Sequence, residues 1–323
     1  MKTRDDSTRN VSIIGTGLSA IFAARIIQER SDRKVILFDK ARGVGGRLAT
    51  RRSENGKFDH GLQYFDIESI SGIPEIQELI EKEIITSISG YNRFFTPGGM
   101  TNIAKYLLQN HQINKEHKLT SISSRDKGFQ ISFENGKNYV CDDMILSSPI
   151  PQTLEILENS QVVVNSDTLG SLKKLAYNMC LVVMVEANNK LEKRNNELGL
   201  KVANGKISWI GDNYVKNVSD TINFYTIHCS PEFSLDNFDK SNDEINEALD
   251  IELQAYFHGG YRILSNHKWR YSIPKSFYQR DTSLVLQSDG FLGLCGDIFT
   301  NGRFDGAIQS GISIAEKYLT YDF

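Results

Sequence analysis

The stretch Val11-Ser-Ile-Ile-Gly15-Thr-Gly17-Leu-Ser-Ala20 constrains the chain more than any other. A short β-branched run suits a strand buried on both faces. Gly15 permits a tight reversal, and Gly17 lets the backbone approach a pyrophosphate closely. Ala20 stands where a third glycine commonly lets the new helix lie against the strand. The sequence predicts a helix over about Leu18 to Glu29. Its first N–H groups, from Leu18 and Ser19 onward, point with the positive dipole end at whatever occupies the turn. A second apolar run, "KVILFDK", ends in Asp39-Lys40. Asp39 follows Gly17 by about the twenty residues expected of an acid that binds a ribose hydroxyl. Strand, glycine turn, helix, strand and acid come in dinucleotide-binding order.

A further glycine cluster follows the acid. "KARGVGGRLATRR" carries Gly43, Gly45, Gly46, Arg47 and Leu48. Glycines here allow unusual backbone angles, and Arg47 is suited to phosphate oxygens, although a solvated loop would carry the same residues. A soluble nicotinamide dehydrogenase has no evident need of it. Near the other end, "FLGLCGD" is an apolar strand ending in Gly296-Asp297, and a helix starts near Phe304 or Asp305. Gly306, Ser310 and Gly311 keep one face of that helix slim. Asp297, at the carboxyl end of a strand, is placed to bind a sugar-like chain; the simpler reading is a turn or cap acid.

Five segments together resemble the renalase-like branch of the FAD-dependent amine oxidase superfamily, in its bacterial NAD(P)/FAD-dependent form. They are "GGRLATRR" running into "FDHGLQYF", the "TPGGM" of Thr96 to Met100, "HKWRYSIP" from His267, and the stretch Leu292 to Glu316. The resemblance is thinnest between about Gln161 and Ile263. It implies FAD, with Gly46 and Arg47 at the pyrophosphate and Asp297 at the ribitol. Gly306 and Ala307 would face the pyrimidine edge of the flavin, with Arg303 adding positive charge and Asp305 standing where many relatives carry glutamate. Leu119, and Pro149 after the strand "MILSSP", complete the expected cofactor contacts. The implied fold is α/β: a Rossmann-type FAD-binding domain with a mainly antiparallel β substrate domain, the p-hydroxybenzoate hydroxylase-like two-domain architecture. The expected boundaries give the FAD-binding domain residues 1–65, 96–160 and 284–323. The substrate domain takes 66–95 and 161–283.

Local patterns agree with two domains, as does a length of 323 residues. Pro74 opens a helix in "GIPEIQELIEKEI", and "IITSISGYNRFF" alternates as strands do. The segment Lys118 to Pro149 reads as four short strands in a meander. Strands dominate from Gln161 to Ser283. One helix interrupts them, "SNDEINEALDIELQAYF", with a Ser241/Glu244 capping box and a stop at His258-Gly259-Gly260.

Composition excludes several classes. A net charge of -3 offers no basic field for nucleic acid, and no apolar run reaches a bilayer's thickness. The opening "MKTRDDSTRN" is polar, reads as a frayed tail and lacks a signal peptide's apolar middle. Cys141, Cys180, Cys229 and Cys295 lie far apart without a C-x-x-C, so free thiols, a cytoplasmic location and no metal are expected.

Hydride transfer to a flavin needs little acid–base help from the protein. Gln63 and Tyr64 are candidates for the substrate face. His267, Trp269 and Tyr271 alternate along one strand and so share a face, forming an aromatic strip for a flat ligand or, equally, a sheet core. The resemblance implies oxidation of 2- or 6-dihydro isomers of NAD(P)H to NAD(P)+, with hydride passing to flavin N5 and O2 as acceptor giving H2O2. An amine oxidase of broader specificity is the alternative, although no lysine stands out for the flavin-side role such enzymes often give one. A non-catalytic flavin-binding protein is the third. The expected partners are a small-molecule substrate and O2, and the expected state is a monomer or weak dimer.

Overall fold

The computed structural model describes residues 9–88, 92–191, 198–286 and 290–321. The polar tail expected at the start falls largely on residues 1–8, outside the described residues. By internal contacts the chain divides into two units. One comprises Met1–Gly46, Ala104–Ala176 and Pro274–Phe323, the other Arg47–Ile103 and Tyr177–Ile273. These divisions fall after 46, 103, 176 and 273, whereas the sequence boundaries were set after 65, 95, 160 and 283. The physical reason for the largest difference is visible in Arg47–Phe65. Its strands Thr50–Arg52 and Lys57–Asp59 pair with each other, and Asp59 is bonded to Asn213 and Thr226 of the antiparallel unit.

The first unit is built on a six-stranded sheet. The strand β1 (Asn10–Ile14) lies between β2 (Lys34–Phe38) and Asp143–Leu146, parallel to both. Gln112–Asn114 extends one side, and Leu292–Leu294 the other, again in parallel; Leu284–Leu286 closes that edge antiparallel. Ile13, Leu37, Ile145 and Leu292 are fully buried, which is why these runs are continuously apolar. Of the expected four-strand meander, three strands form a separate antiparallel sheet: Leu119–Ser124, Phe129–Phe133 and Asn138–Cys141. The fourth, Asp143–Leu146, joins the parallel sheet.

The helix α1 (Leu18–Arg30) follows β1, and the chain's last helix, Phe304–Leu319, packs along it. Contact is close enough that a Cβ on Gly311 would lie 2.4 Å from the Ser19 carbonyl oxygen. Of the slim face read in the sequence, Gly311 meets α1, while Gly306 faces Thr300 and Asn301 and Ser310 accepts from Gly296 N. Asp143 ties both chain ends to the sheet. It accepts from Arg9 Nη2 at 2.7 Å and from the Tyr318 hydroxyl at 2.9 Å.

The second unit centres on a five-stranded sheet in the order Gly199–Lys201, Ile207–Asp212, Phe224–Cys229, Tyr177–Ala187, Tyr261–Pro274. Alternation sorts its faces. Leu181, Val183, Val185, Ile210, Tyr225 and Ile227 form a core with Ile245, Leu249 and Leu253 of the helix Asn242–Tyr256. The expected capping box at Ser241 and Glu244 is present. Met184 and Phe224, on the other face, pack with Phe58. The helices Ser166–Leu172 and Pro231–Asn237 were not expected from the sequence; both are only seven residues long, too short to show a period.

Candidate functional site

In the first unit the carboxyl ends of β1, β2, Asp143–Leu146 and Leu292–Leu294 share one edge, because the four strands are parallel. The chain leaves β1 towards β2 on one side and later fills the other side with Asp143–Leu146. That reversal makes the end of β1 the switch point where open α/β sheets bind ligands. Gly15–Ala20, Asp39-Lys40, Pro149 and Gly296-Asp297 all lie just past these strand ends.

The glycines have separable reasons. Gly15 has φ of +107°, and a Cβ there would come within 2.3 Å of Ser147 Oγ, so the turn itself demands glycine. Gly17 is different. Its φ and ψ of -72° and 170° suit any residue, and a Cβ would meet nothing within 4 Å. Neither backbone nor packing requires glycine there, which leaves a ligand that must approach the main chain. The second glycine cluster closes on the first. Gly45 N donates to the Thr16 carbonyl at 2.9 Å, and a Cβ on Gly46 would lie 3.4 Å from Gly17 Cα.

Asp39 accepts at Oδ2 from Thr16 N at 2.8 Å and from the Thr16 hydroxyl, and at Oδ1 from Ala41 N at 2.8 Å. A carboxylate has about four lone-pair sites, so capacity remains for a ribose hydroxyl. Lys40 is exposed beside it, Ser19 and Ala20 are buried in the first turn of α1, and Leu48 and Leu119 are buried. Neither α1 nor Phe304–Leu319 has a side-chain cap, in contrast to the boxed Asn242–Tyr256. Both starts carry the positive end of the helix dipole, which favours an anionic ligand. Arg303 occupies the N-cap position and Ala307 N donates to its carbonyl. Asp305 accepts from Asn301 Nδ2 at 2.9 Å. A Cβ on Gly306 would lie 2.1 Å from Asn301 Oδ1 and 2.3 Å from Thr300 Oγ1, so those side chains would have to move. Asp297 is buried, with its carbonyl accepting from Thr300 N and Gly302 N. Pro149 caps the helix Ile150–Glu158. These residues fit an extended dinucleotide with a diphosphate at the β1 turn.

The second unit gathers the remaining candidates into three groups. Gln63 is buried and its amide is committed internally. Nε2 donates to the Asp59 and Gly61 carbonyls, at 2.6 and 3.2 Å, and Oε1 accepts from Lys216 Nζ at 3.0 Å. Lys216 also faces Asp59 Oδ2 at 3.5 Å, both side chains being fully buried. Burial pushes the Lys216 ammonium below its ordinary value and the Asp59 carboxyl above its own, while their mutual attraction opposes both shifts. Asp59 Oδ1 is held further by the Thr50 hydroxyl and Met100 N.

His267 and Trp269 lie with ring centroids 4.3 Å apart, and His60 joins them, stacked on Trp269 at 5.4 Å. Trp269 Nε1 donates to the His60 carbonyl. Burial holds His60 down at about 3, aided by His267 and Arg51, and His267 at about 4, aided by Arg51. Both rings are neutral at physiological pH. Tyr271 lies apart from this stack, against Tyr177 at 5.6 Å. Arg47 Nη1 donates to the Ser272 carbonyl on the same strand. Tyr64 forms the third group, 5.4 Å from the Trp209 ring.

His60, Arg51, Lys216 and Trp209 were not singled out from the sequence. His60 was discoverable, since it lies within the "FDHGLQYF" segment. Lys216 carried no signal, because nothing in "NYVKNV" predicts burial. Among the described residues, no group of three or more His, Cys, Asp or Glu is placed to hold a metal, and no helix is long and apolar enough to cross a membrane.

A parallel sheet with a ligand-shaped glycine turn at its switch point, in a chain whose second unit bears neutral aromatic groups, defines a two-unit dinucleotide-fold oxidoreductase. Residues 13–81 match the model of an NAD(P)-binding Rossmann-like domain, and residues 70–319 match that of the flavin containing amine oxidoreductases. The chain belongs to the flavin containing amine oxidoreductase family and is an FAD-dependent oxidoreductase of renalase-like type. It is 24% identical to renalase of Mus musculus over 340 aligned positions, spanning 96% of this chain and 99% of renalase. Its fold resembles putrescine oxidase bound to putrescine, with a TM-score of 0.71 and 12% identity over 97% of this chain and 99% of that one. An oxidoreductase from Methanosarcina mazei gives a TM-score of 0.68 and 13% identity over 95% and 100%.

Proposed function

We propose that the chain oxidises 2- and 6-dihydro isomers of NAD(P)H to NAD(P)+, with O2 as the electron acceptor. The first unit serves as the FAD-binding domain and the second as the substrate domain. When bound, FAD supplies a hydride acceptor at N5 and is reoxidised by O2 to give H2O2. The protein's own part is binding and orientation. Gly17 and Gly46 leave room for the diphosphate, Arg47 adds a cation to it, and Asp39 offers an acceptor to the ribose. Asp297 and the uncapped start of Phe304–Leu319, with Arg303 and Ala307, serve the ribitol and the ring. Gln63, locked by Lys216, fixes the backbone before Tyr64.

The observation that carries the substrate reading is the His60, His267 and Trp269 stack, whose imidazoles are held neutral. Loss of hydride from a dihydropyridine gives the pyridinium directly and requires no base, so flat neutral rings suffice to position it. The similarity to mouse renalase along nearly the whole chain supports the same reading. The test is anaerobic mixing of the FAD-loaded protein with 2-, 4- and 6-dihydro NADH and with monoamines. Flavin bleaching by the 2- and 6-isomers alone is expected. Bleaching by an amine alone would make the protein an amine oxidase, and indifference to all would make it a flavin-binding protein without turnover.

A further inference from the structure

Arg93 lies against Tyr64, its Cζ 4.6 Å from the ring centroid. Its Nη1 is buried without a hydrogen-bond partner among the described residues. Asp66, a nearby carboxylate in sequence terms on the paired segment, is engaged by Asn92 Nδ2 and Glu68 N instead. The same tyrosine touches Trp209, which is 8% exposed and whose Nε1 also has no partner among the described residues. Arginine and indole nitrogens can only donate, and a buried donor without an acceptor costs about 1–3 kcal/mol. Native proteins rarely leave such a donor unmet, and an acceptor from an ion, a ligand or an ordered water commonly completes it. A guanidinium held on an aromatic face keeps its charge and its planar fork.

We propose that Arg93, laid on the ring of Tyr64, recognises an anionic oxygen group, phosphate or carboxylate, on a flat ring-bearing substrate. The same charge repels an ammonium group and so selects against simple amines. This inference rests on the substrate reading above and deepens it, since a dinucleotide carries the anion that a monoamine lacks.

The experiment uses the FAD-loaded enzyme, so that the cofactor's own diphosphate site is filled. Wild type, Arg93→Met and Arg93→Lys are titrated calorimetrically with inorganic pyrophosphate and, separately, with nicotinate. Flavin content confirms that each variant is folded. At least one anion is expected to bind wild type, with Kd raised tenfold or more in Arg93→Met and less in Arg93→Lys. Binding of pyrophosphate alone assigns phosphate; binding of nicotinate alone assigns carboxylate. In turnover, Arg93→Met is expected to lower kcat/KM for 6-dihydro NAD at least tenfold more than for 6-dihydronicotinamide riboside, which has no phosphate, if pyrophosphate is the anion bound. Failure of both anions to bind wild type, or equal binding by Arg93→Met, overturns the proposal. If neither dihydro isomer bleaches the wild-type flavin, the substrate reading fails, and the calorimetry still decides the role of Arg93.

Discussion

Gly17 is the residue at which fold and ligand requirements separate most cleanly. Because a Cβ there meets nothing within 4 Å, Gly17→Ala should leave the melting temperature of the apoprotein within a few degrees of wild type while weakening FAD binding at least tenfold. Paired thermal melts and FAD titrations measure both. The histidines give a pH dependence whose sign follows from their depressed values. At pH 7 His60, His228 and His267 are neutral in the folded chain and mostly neutral in the unfolded one. Below the ordinary value of 6.5 the unfolded chain takes up protons that the folded one refuses down to about 3 for His60 and about 4 for the other two. Stability should therefore fall as pH drops from 6.5 towards 4, by up to ~1.4 kcal/mol per pH unit for each histidine, and less for the partly exposed His267. Denaturant midpoints across that range test this, and His228→Asn should flatten the slope. Lys216 presents a third case. Lys216→Met strands the Asp59 carboxylate in the interior and should cost about 3–5 kcal/mol, whereas adding Asp59→Asn should recover part of the loss in chemical denaturation. Gly15, Gly17 and Asp39 were legible because their spacing is local. Lys216 was not, because its burial depends on Asp59 and Gln63, which come from a distant part of the chain.

Helices and strands were legible wherever a period or a stop signal ran long enough. α1, Asn242–Tyr256 and Phe304–Leu319 follow their sequence limits closely because apolar spacing, a capping box or flanking glycines mark them. The Asp143–Leu146 strand was readable as a strand but not as a member of the parallel sheet. Its partners, β1 and Leu292–Leu294, lie more than a hundred residues away on either side. The two-residue strands Thr86–Ser87 and Phe94–Phe95 show how little of an alternating run need pair; residues 89–91 of that run lie outside the described residues. At this scale the contact between α1 and the last helix makes a sharp prediction. Gly311→Ala places a methyl 2.4 Å from the Ser19 carbonyl and should destabilise by about 1–3 kcal/mol as the helices separate. The conservative Ser310→Ala, by contrast, removes only the hydroxyl that accepts from Gly296 N at 2.9 Å, and should cost about 1–2 kcal/mol. Equilibrium unfolding of both variants measures the difference.

For the molecule as a whole, the family and the cofactor were readable from five separated motifs, because a dinucleotide makes the same demands of any backbone that binds it. The substrate was less readable. The side chains proposed to meet it fall in separate groups of the second unit, His60 stacked on Trp269 and Arg93 on Tyr64, and no local spacing links them. The unit boundaries shifted for a related reason: Arg47–Phe65 is anchored by Asp59 to residues far along the chain. The central claim is that one chain folds around one FAD at the carboxyl edge of the parallel sheet. Titration of the apoprotein with FAD, followed by flavin fluorescence quenching and visible absorbance, tests it directly. Saturation at one FAD per chain, with a resolved protein-bound flavin spectrum, is the predicted result; a preparation that stays colourless after incubation with excess FAD would contradict it.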